Sequence, residues 1–161
     1  MLYFRLFCTH GTPVQKNLDC WPALPIVVQY GGSPALGLPT PEDEDNIMAA
    51  FKQSDHVISI SLTISTLLLK KLSTLKGAFS ELQDLILLSW DGESLIMPSV
   101  FRWGQRLRRL QSTGITIPAL MQPFYLSSST NLIDLQLHVA FLPQQFSPVI
   151  LKGVLSEMTG L

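Results

Sequence analysis

The chain has 161 residues, of which 47% are hydrophobic and 14% charged, and its net charge at pH 7 is −1. This length fits one domain, and a charge so close to zero excludes the basic surface that nucleic acids and anionic membranes require. The longest strongly apolar run, residues 57–69, is too short to span a bilayer and is interrupted by serine and threonine. The two cysteines form no disulfide framework, which favours a reducing compartment, cytoplasmic or nuclear.

Residues 1–40 are predicted to form two strands and a loop. The apolar run over residues 2–8 predicts the first strand, which ends at the turn-like sequence His10-Gly11-Thr12-Pro13. β-branched residues between flanking prolines and glycines predict the second strand over 26–30. Glycine and proline then predict an irregular loop over 31–40.

Four acidic residues, Glu42, Asp43, Glu44 and Asp45, stand at the start of a helical pattern. Acidic side chains there oppose the positive end of the helix dipole, usually for about 0.3–1 kcal/mol each. A calcium site or a partner-binding site would use the same carboxylates, but the start of a helix is the favoured interpretation.

The rest of the chain repeats the pattern L-x-x-L-x-L at a spacing of 25 residues. Its four copies begin at Val57, Leu82, Leu107 and Leu132; Val57 and Ile60 are conservative replacements and Ser112 is a defect. This consensus and period are those of the leucine-rich repeat, whose units span about 20–29 residues. The predicted fold is therefore α/β, a partial leucine-rich-repeat horseshoe with parallel strands on the concave side and helices and turns on the convex side. We assign residues 1–161 to one partial domain, in which 41–161 form a helix and repeats that stop partway through the solenoid.

The connections between the repeated strands are predicted to be irregular. Leucines on one helical face predict a helix over 66–75, whereas Pro123 predicts a broken turn over 119–126. Ser147 and Pro148 are expected to begin a last helix. The asparagine that usually closes each repeat turn is replaced, in the four copies, by Ser65, Trp90, Ile115 and Ala140.

Alternation along a strand predicts which side chains leave the core. In the second copy Leu85 and Leu87 point inward, while the residues between and beside them point outward. Stacking of parallel repeats then aligns three outward columns: Ser59, Asp84, Arg109, Asp134; Ser61, Ile86, Gln111, Gln136; and Thr63, Leu88, Thr113, His138. The expected protein-binding concave face consists of eight of these residues: Asp84, Ile86, Leu88, Arg109, Gln111, Asp134, Gln136 and His138.

Arg109 falls between two aspartates in the first column, and this arrangement has two interpretations. One is a surface ion-pair ladder, in which each pair contributes about 0–1 kcal/mol. The other is a recognition patch beside exposed Ile86 and Leu88. The ladder is the favoured interpretation for any single residue.

No combination of residues in the sequence points to catalysis. The three histidines are scattered, and neither a zinc motif nor a phosphate-binding loop is present. Ser73-Thr74-Leu75-Lys76 matches S-x-x-K without the motifs that accompany it in enzymes. We therefore expect no enzyme activity, no cofactor and no metal.

Several segments resemble F-box/leucine-rich-repeat proteins that are expanded in mushroom-forming fungi. They are HGTPV at 10–14, LDCWPALPIVV at 18–28, PEDEDNI at 41–47, SISLT at 59–63, FSEL at 79–82, FRWG at 101–104 and DLQLH at 134–138. In such proteins an N-terminal F-box docks on the Skp adaptor of a cullin ubiquitin ligase, and the repeats capture the substrate. The resemblance implies a non-enzymatic protein-interaction module, similar to the substrate-recognition part of such a receptor, with an unidentified protein as its client.

The chain resembles the region just after the F-box, and the Leu-Pro-x-Glu helix pair of the F-box itself is missing. The Skp adaptor and the cullin are thus expected as partners only if a longer product carries an F-box. Nucleic acid and membrane are not expected as partners. The alternative expectation is a truncated gene product without independent function.

Overall fold

A parallel sheet with its strands in chain order organises the computed structural model, which describes residues 2–20, 24–31, 39–75, 79–89, 95–97, 106–116 and 131–138. The elements in these ranges are β1 (Phe4–Phe7), α1 (Val14–Cys20), β2 (Ile26–Tyr30), α2 (Pro41–Phe51), β3 (Val57–Ile64), α3 (Thr66–Leu72), β4 (Asp84–Ser89), β5 (Leu95–Ile96), β6 (Arg109–Thr113), β7 (Ile115–Thr116) and β8 (Asp134–His138). The main sheet has the order β1-β2-β3-β4-β6-β8, and every pair in it is parallel. β5 and β7 form a separate parallel pair. The described residues thus form an α/β structure, as predicted.

From β3 to β8 the register of the main sheet equals the spacing of the sequence pattern. Ser59 pairs with Asp84, Asp84 with Arg109, and Arg109 with Asp134, each 25 residues further along the chain. The backbone bonds just before the strands have the same spacing: Gln83 N donates to Ile58 O at 2.8 Å, and Arg108 N donates to Gln83 O at 2.7 Å. The predicted strand positions and their alignment are therefore confirmed.

The repeated apolar residues form the core on one side of this sheet. The first residue of every copy, Val57, Leu82, Leu107 and Leu132, is buried. The inward residues of β4, Leu85 and Leu87, are buried in the same cluster as residues of all three described helices. Burying a leucine side chain contributes about 1.5–3 kcal/mol, so this repetition supplies much of the stability of the sheet.

Leu135 on β8 departs from this pattern, because we predicted it to be buried and it is only half-buried. β8 has a strand neighbour on one side only within the described part of the chain. An inward side chain at that position has fewer neighbours than Leu85 and Leu110, which are covered from both sides.

α2 begins where the acidic run predicted a helix. Thr40 Oγ1 accepts a hydrogen bond from Asp43 N at 3.3 Å, and Asp43 Oδ2 accepts one from Thr40 N at 2.8 Å. This reciprocal capping box satisfies backbone donors that the first turn of a helix leaves free, and Pro41 at the first helical positions needs no donor.

α3 starts at the first of the replaced asparagine positions. Ser65 Oγ accepts a hydrogen bond from Leu68 N at 3.1 Å and so caps the helix. The helix ends at Leu72, three residues before the predicted end, and its buried face consists of Leu68, Leu69 and Leu72.

Two features were not predicted, and some predictions cannot be compared with the structure. α1 occupies residues that we expected to lead irregularly into the second strand, and its buried residues Val14 and Leu18 are one helical turn apart. The pairing of β5 with β7 was also missed. The turn over 119–126, the helix from Ser147 and most of the loop over 31–40 lie outside the described residues.

Candidate protein-interaction surface

The predicted outward residues lie side by side on one face of β4, β6 and β8. Ile86 pairs with Gln111, which pairs with Gln136. Leu88 pairs with Thr113, which pairs with His138. We call the set Asp84, Ile86, Leu88, Arg109, Gln111, Asp134, Gln136 and His138 the outward face. Paired positions on adjacent strands lie about 4.8 Å apart, so these eight residues form one continuous surface.

The first column of the outward face carries a ladder of opposite charges. Arg109 Nε lies 3.3 Å from Asp134 Oδ2, and Arg109 Nη1 lies 4.0 Å from Asp84 Oδ1. The second oxygen of Asp134, Oδ1, accepts a hydrogen bond from Gln136 Nε2 at 3.2 Å. Because all three charged side chains are partly exposed to water, each pair stabilises the fold by only about 0–1 kcal/mol. The ladder mainly orients the polar groups of the face.

The apolar residues of the outward face are half-buried, which corrects the prediction that Ile86 and Leu88 are exposed. Ile86 lies between Ser61 and Gln111 on the adjacent strands. Side chains this close cover part of one another, so the apolar area open to a partner is a narrow strip.

The third column contains a further correction, because Thr63 was predicted to point outward and is buried. Gly31 follows β2 with a φ of 88°, and a Cβ at this glycine would lie 2.3 Å from Thr63 Oγ1. The backbone at Gly31 therefore covers Thr63. At the other end of the column His138 is exposed, and its carbonyl oxygen accepts a hydrogen bond from Gly114 N at 2.9 Å.

The three columns continue across β2 to β1, which sequence reasoning missed. Arg5 pairs with Val27, and Val27 pairs with Ser59. Phe7 pairs with Gln29, and Gln29 pairs with Ser61. Both strands were predicted, but the paired positions are 22 residues apart between β1 and β2 and 32 apart between β2 and β3. The constant spacing that aligned the other strands could not find this register.

The acidic run at the start of α2 is occupied by contacts within the protein. Glu42 Oε1 accepts a hydrogen bond from Gly11 N at 3.4 Å, and Glu44 Oε2 accepts one from Lys71 Nζ at 2.5 Å. Ser65 Oγ donates to the other oxygen of Glu44 at 3.4 Å. These carboxylates therefore tie α2 to the turn before it and to the helix after it.

Asp43 is the buried member of this run whose pKa departs from its ordinary value. Burial alone would raise the pKa of its carboxyl, but hydrogen bonds from the backbone and the hydroxyl of Thr40 outweigh that effect, and the net pKa is lowered. The His10 backbone N–H and the Tyr30 phenol lower it further, although neither satisfies hydrogen-bond geometry at Oδ1, which is buried without a partner. The folded state thus favours the ionised carboxylate.

Chemical sites of other kinds were sought in the same residues. The described ranges contain no group of three or more His, Cys, Asp and Glu side chains that could hold a metal ion. Their helices all fall short of the length and apolar character needed to cross a membrane. Comparisons with protein-family models, with curated proteins and with solved structures found no match to this chain. A functional assignment therefore depends on the sequence pattern and the geometry described above.

Proposed function

We propose that the chain is a leucine-rich-repeat module without catalytic activity that binds a protein client on its outward face. The observation that carries the proposal is the match between sequence period and sheet register, since every 25-residue step adds one parallel strand beside the last. Repeats of this length and consensus stack as solenoids, whose strand-lined surface is the usual binding face.

The chemistry of the outward face suits a protein client. It combines carboxylates, a guanidinium, amides and half-buried apolar side chains within one surface. Protein interfaces use this mixture, with an apolar centre and a polar rim. The described helices pack into the core on the opposite side of the sheet, where Leu68 and Ile47 share a cluster with Leu85.

The resemblance to fungal F-box receptors makes the proposal more specific. The client would be a substrate of a ubiquitin ligase, and the Skp adaptor and cullin would join only through an F-box in a longer product. A cytoplasmic or nuclear location agrees with this role and with two cysteines that are both free thiols.

Affinity capture from the native cells tests the proposal. The wild-type chain should capture a specific client, and the double variant Ile86→Asp with Arg109→Glu should lose it. Truncating a residue at the desolvated centre of an interface costs about 2 kcal/mol or more, which is roughly thirtyfold in affinity. Lys70→Glu is the matched control, because Lys70 is exposed on α3 and lies outside the outward face.

Circular dichroism of each variant must precede the capture, so that loss of binding is not loss of folding. A client that the folded double variant still captures would place the binding site elsewhere. A wild-type chain that is unfolded on its own would instead favour a product without independent function.

A further inference from the structure

The first strand of the sheet has an exposed apolar rim. Leu2, Tyr3 and Phe7 are 83%, 48% and 53% exposed and lie within or just before β1. Within the part of the chain that the structure describes, β1 is the terminal strand of the sheet, with β2 as its one neighbour. An edge strand with apolar side chains is a template for pairing with another strand.

The backbone of β1 has free hydrogen-bonding groups in the position that such pairing requires. Phe4 N donates to Pro25 O at 2.8 Å and Cys8 N donates to Gln29 O at 2.9 Å, so these alternate residues point toward β2. Because direction alternates along a strand, the N–H and C=O groups of Arg5 and Phe7 point toward the open edge.

The side chain of Arg5 specifies the charge of the missing neighbour. Arg5 stands in the same column as Arg109, which has aspartates on both adjacent strands. Arg5 itself has Val27 on one side, and among the described residues it makes no ion pair with a carboxylate. Its guanidinium lies 5.9 Å from the centre of the Tyr3 ring, which leaves its charge open to a partner.

We propose that β1 accepts an extended peptide segment of a partner protein as an additional strand, with an acidic side chain beside Arg5 and apolar side chains next to Leu6 and Phe7. Backbone bonds to Arg5 and Phe7 would supply affinity, and the charge beside Arg5 would supply selectivity. This site uses other residues than the outward face on β4, β6 and β8, so it does not depend on the function proposed above.

A peptide with the sequence of β8 and its lead-in is the probe. Residues 131–138 place Asp134 beside Arg109 in the sheet, so a labelled, end-capped Asn-Leu-Ile-Asp-Leu-Gln-Leu-His peptide can place its aspartate beside Arg5 in the same register. Fluorescence anisotropy with the full chain should show binding about fivefold tighter than for the same peptide with lysine in place of aspartate. The Arg5→Glu variant should reverse this preference.

A second variant tests the backbone bonds. Phe7→Pro removes an N–H that points to the open edge and leaves the bonds to β2 intact, a position that tolerates proline in edge strands. It should weaken peptide binding about tenfold or more, and binding of the peptide to the wild type should slow hydrogen exchange at the amides of Arg5 and Phe7. Equal affinity for the two peptides, unchanged binding by Phe7→Pro, or occupation of β1 by a second copy of the chain would each overturn the proposal.

Discussion

The Arg109 guanidinium is shared between Asp134 and Asp84, which approach it from the strands on either side at 3.3 Å and 4.0 Å. This relationship depends on a single register, because a shift of one residue would turn every outward side chain of a strand toward the core. The ion pairs are therefore a marker of the alignment of β4, β6 and β8, and apolar burial on the opposite side of the sheet provides most of the stability.

A double-mutant cycle can measure how much the ladder contributes. Arg109→Ala, Asp134→Ala and the double variant should give a coupling free energy of about 1 kcal/mol or less, since both side chains are partly exposed. Raising the salt concentration to about 1 M should reduce it further, because the Debye length falls to roughly 3 Å. A coupling well above this range would mean that the pair is shielded from water.

The assignment of inward and outward residues on β4 predicts unequal effects of truncation. Leu85→Ala removes a fully buried side chain and should lower the free energy of unfolding by about 2–5 kcal/mol. Leu88→Ala, on the outward face, should cost less, and Leu135→Ala should also cost less because Leu135 is half-buried. Denaturant midpoints check the order, and a larger loss for Leu88→Ala would show that the facing is reversed.

Gly114 allows a test of the close approach between the ends of β4 and β6. Its φ is 72°, and a Cβ there would lie 2.4 Å from the carbonyl oxygen of Ser89. Gly11 is the matched control, because its φ of 79° is similar and no atom lies within 4 Å of its would-be Cβ. Gly11→Ala should cost about 1–2 kcal/mol for the left-handed conformation alone, and Gly114→Ala should cost more. Thermal unfolding that ranks the two variants equally would contradict the approach of Gly114 to Ser89.

Asp43 predicts a pH dependence of stability. Its pKa is lowered from 3.8 on folding, so the stability it contributes is fully present above pH 3.8 and is lost as pH falls through the folded-state pKa. Asp43→Asn should therefore destabilise the protein at pH 7, by about 1 kcal/mol for a hydrogen bond to a charged group. The difference between variant and wild type should shrink below pH 3.8.

Urea unfolding at a series of pH values measures this difference. Asp45→Asn is the control, because Asp45 is exposed on the same helix, and it should change stability less. A gap between Asp43→Asn and wild type that stays constant from pH 7 to pH 3 would contradict the lowered pKa.

The parts of the fold that were predictable are those that the chain repeats. Four copies at one spacing fix both the strands and their register, because equivalent residues must face the same core. α1 was missed because a seven-residue helix gives a periodic signal of only two buried positions, Val14 and Leu18. β5 and β7 are two residues each, too short for any strand pattern, and depend on tertiary contacts.

The candidate site was predictable to the same extent and for the same reason. Alternation correctly gives the side of the sheet on which Ile86 and Gln111 lie. The exposure of a side chain depends in addition on what its neighbours cover, as at Ile86 and at Thr63 beneath Gly31. A column that crosses two irregular spacings, such as the one from Arg5 to Ser59, can be found only from the folded structure.

Site-specific photo-crosslinking tests the central claim most directly. A photoreactive amino acid replaces Gln111, at the middle of the outward face, or Lys70, on α3, and the folded protein is irradiated in extract of the native cells. Crosslinking of one defined protein from position 111, with none from position 70, is the predicted result. A client that crosslinks from position 70 and not from position 111 would contradict the claim that the outward face is the binding surface.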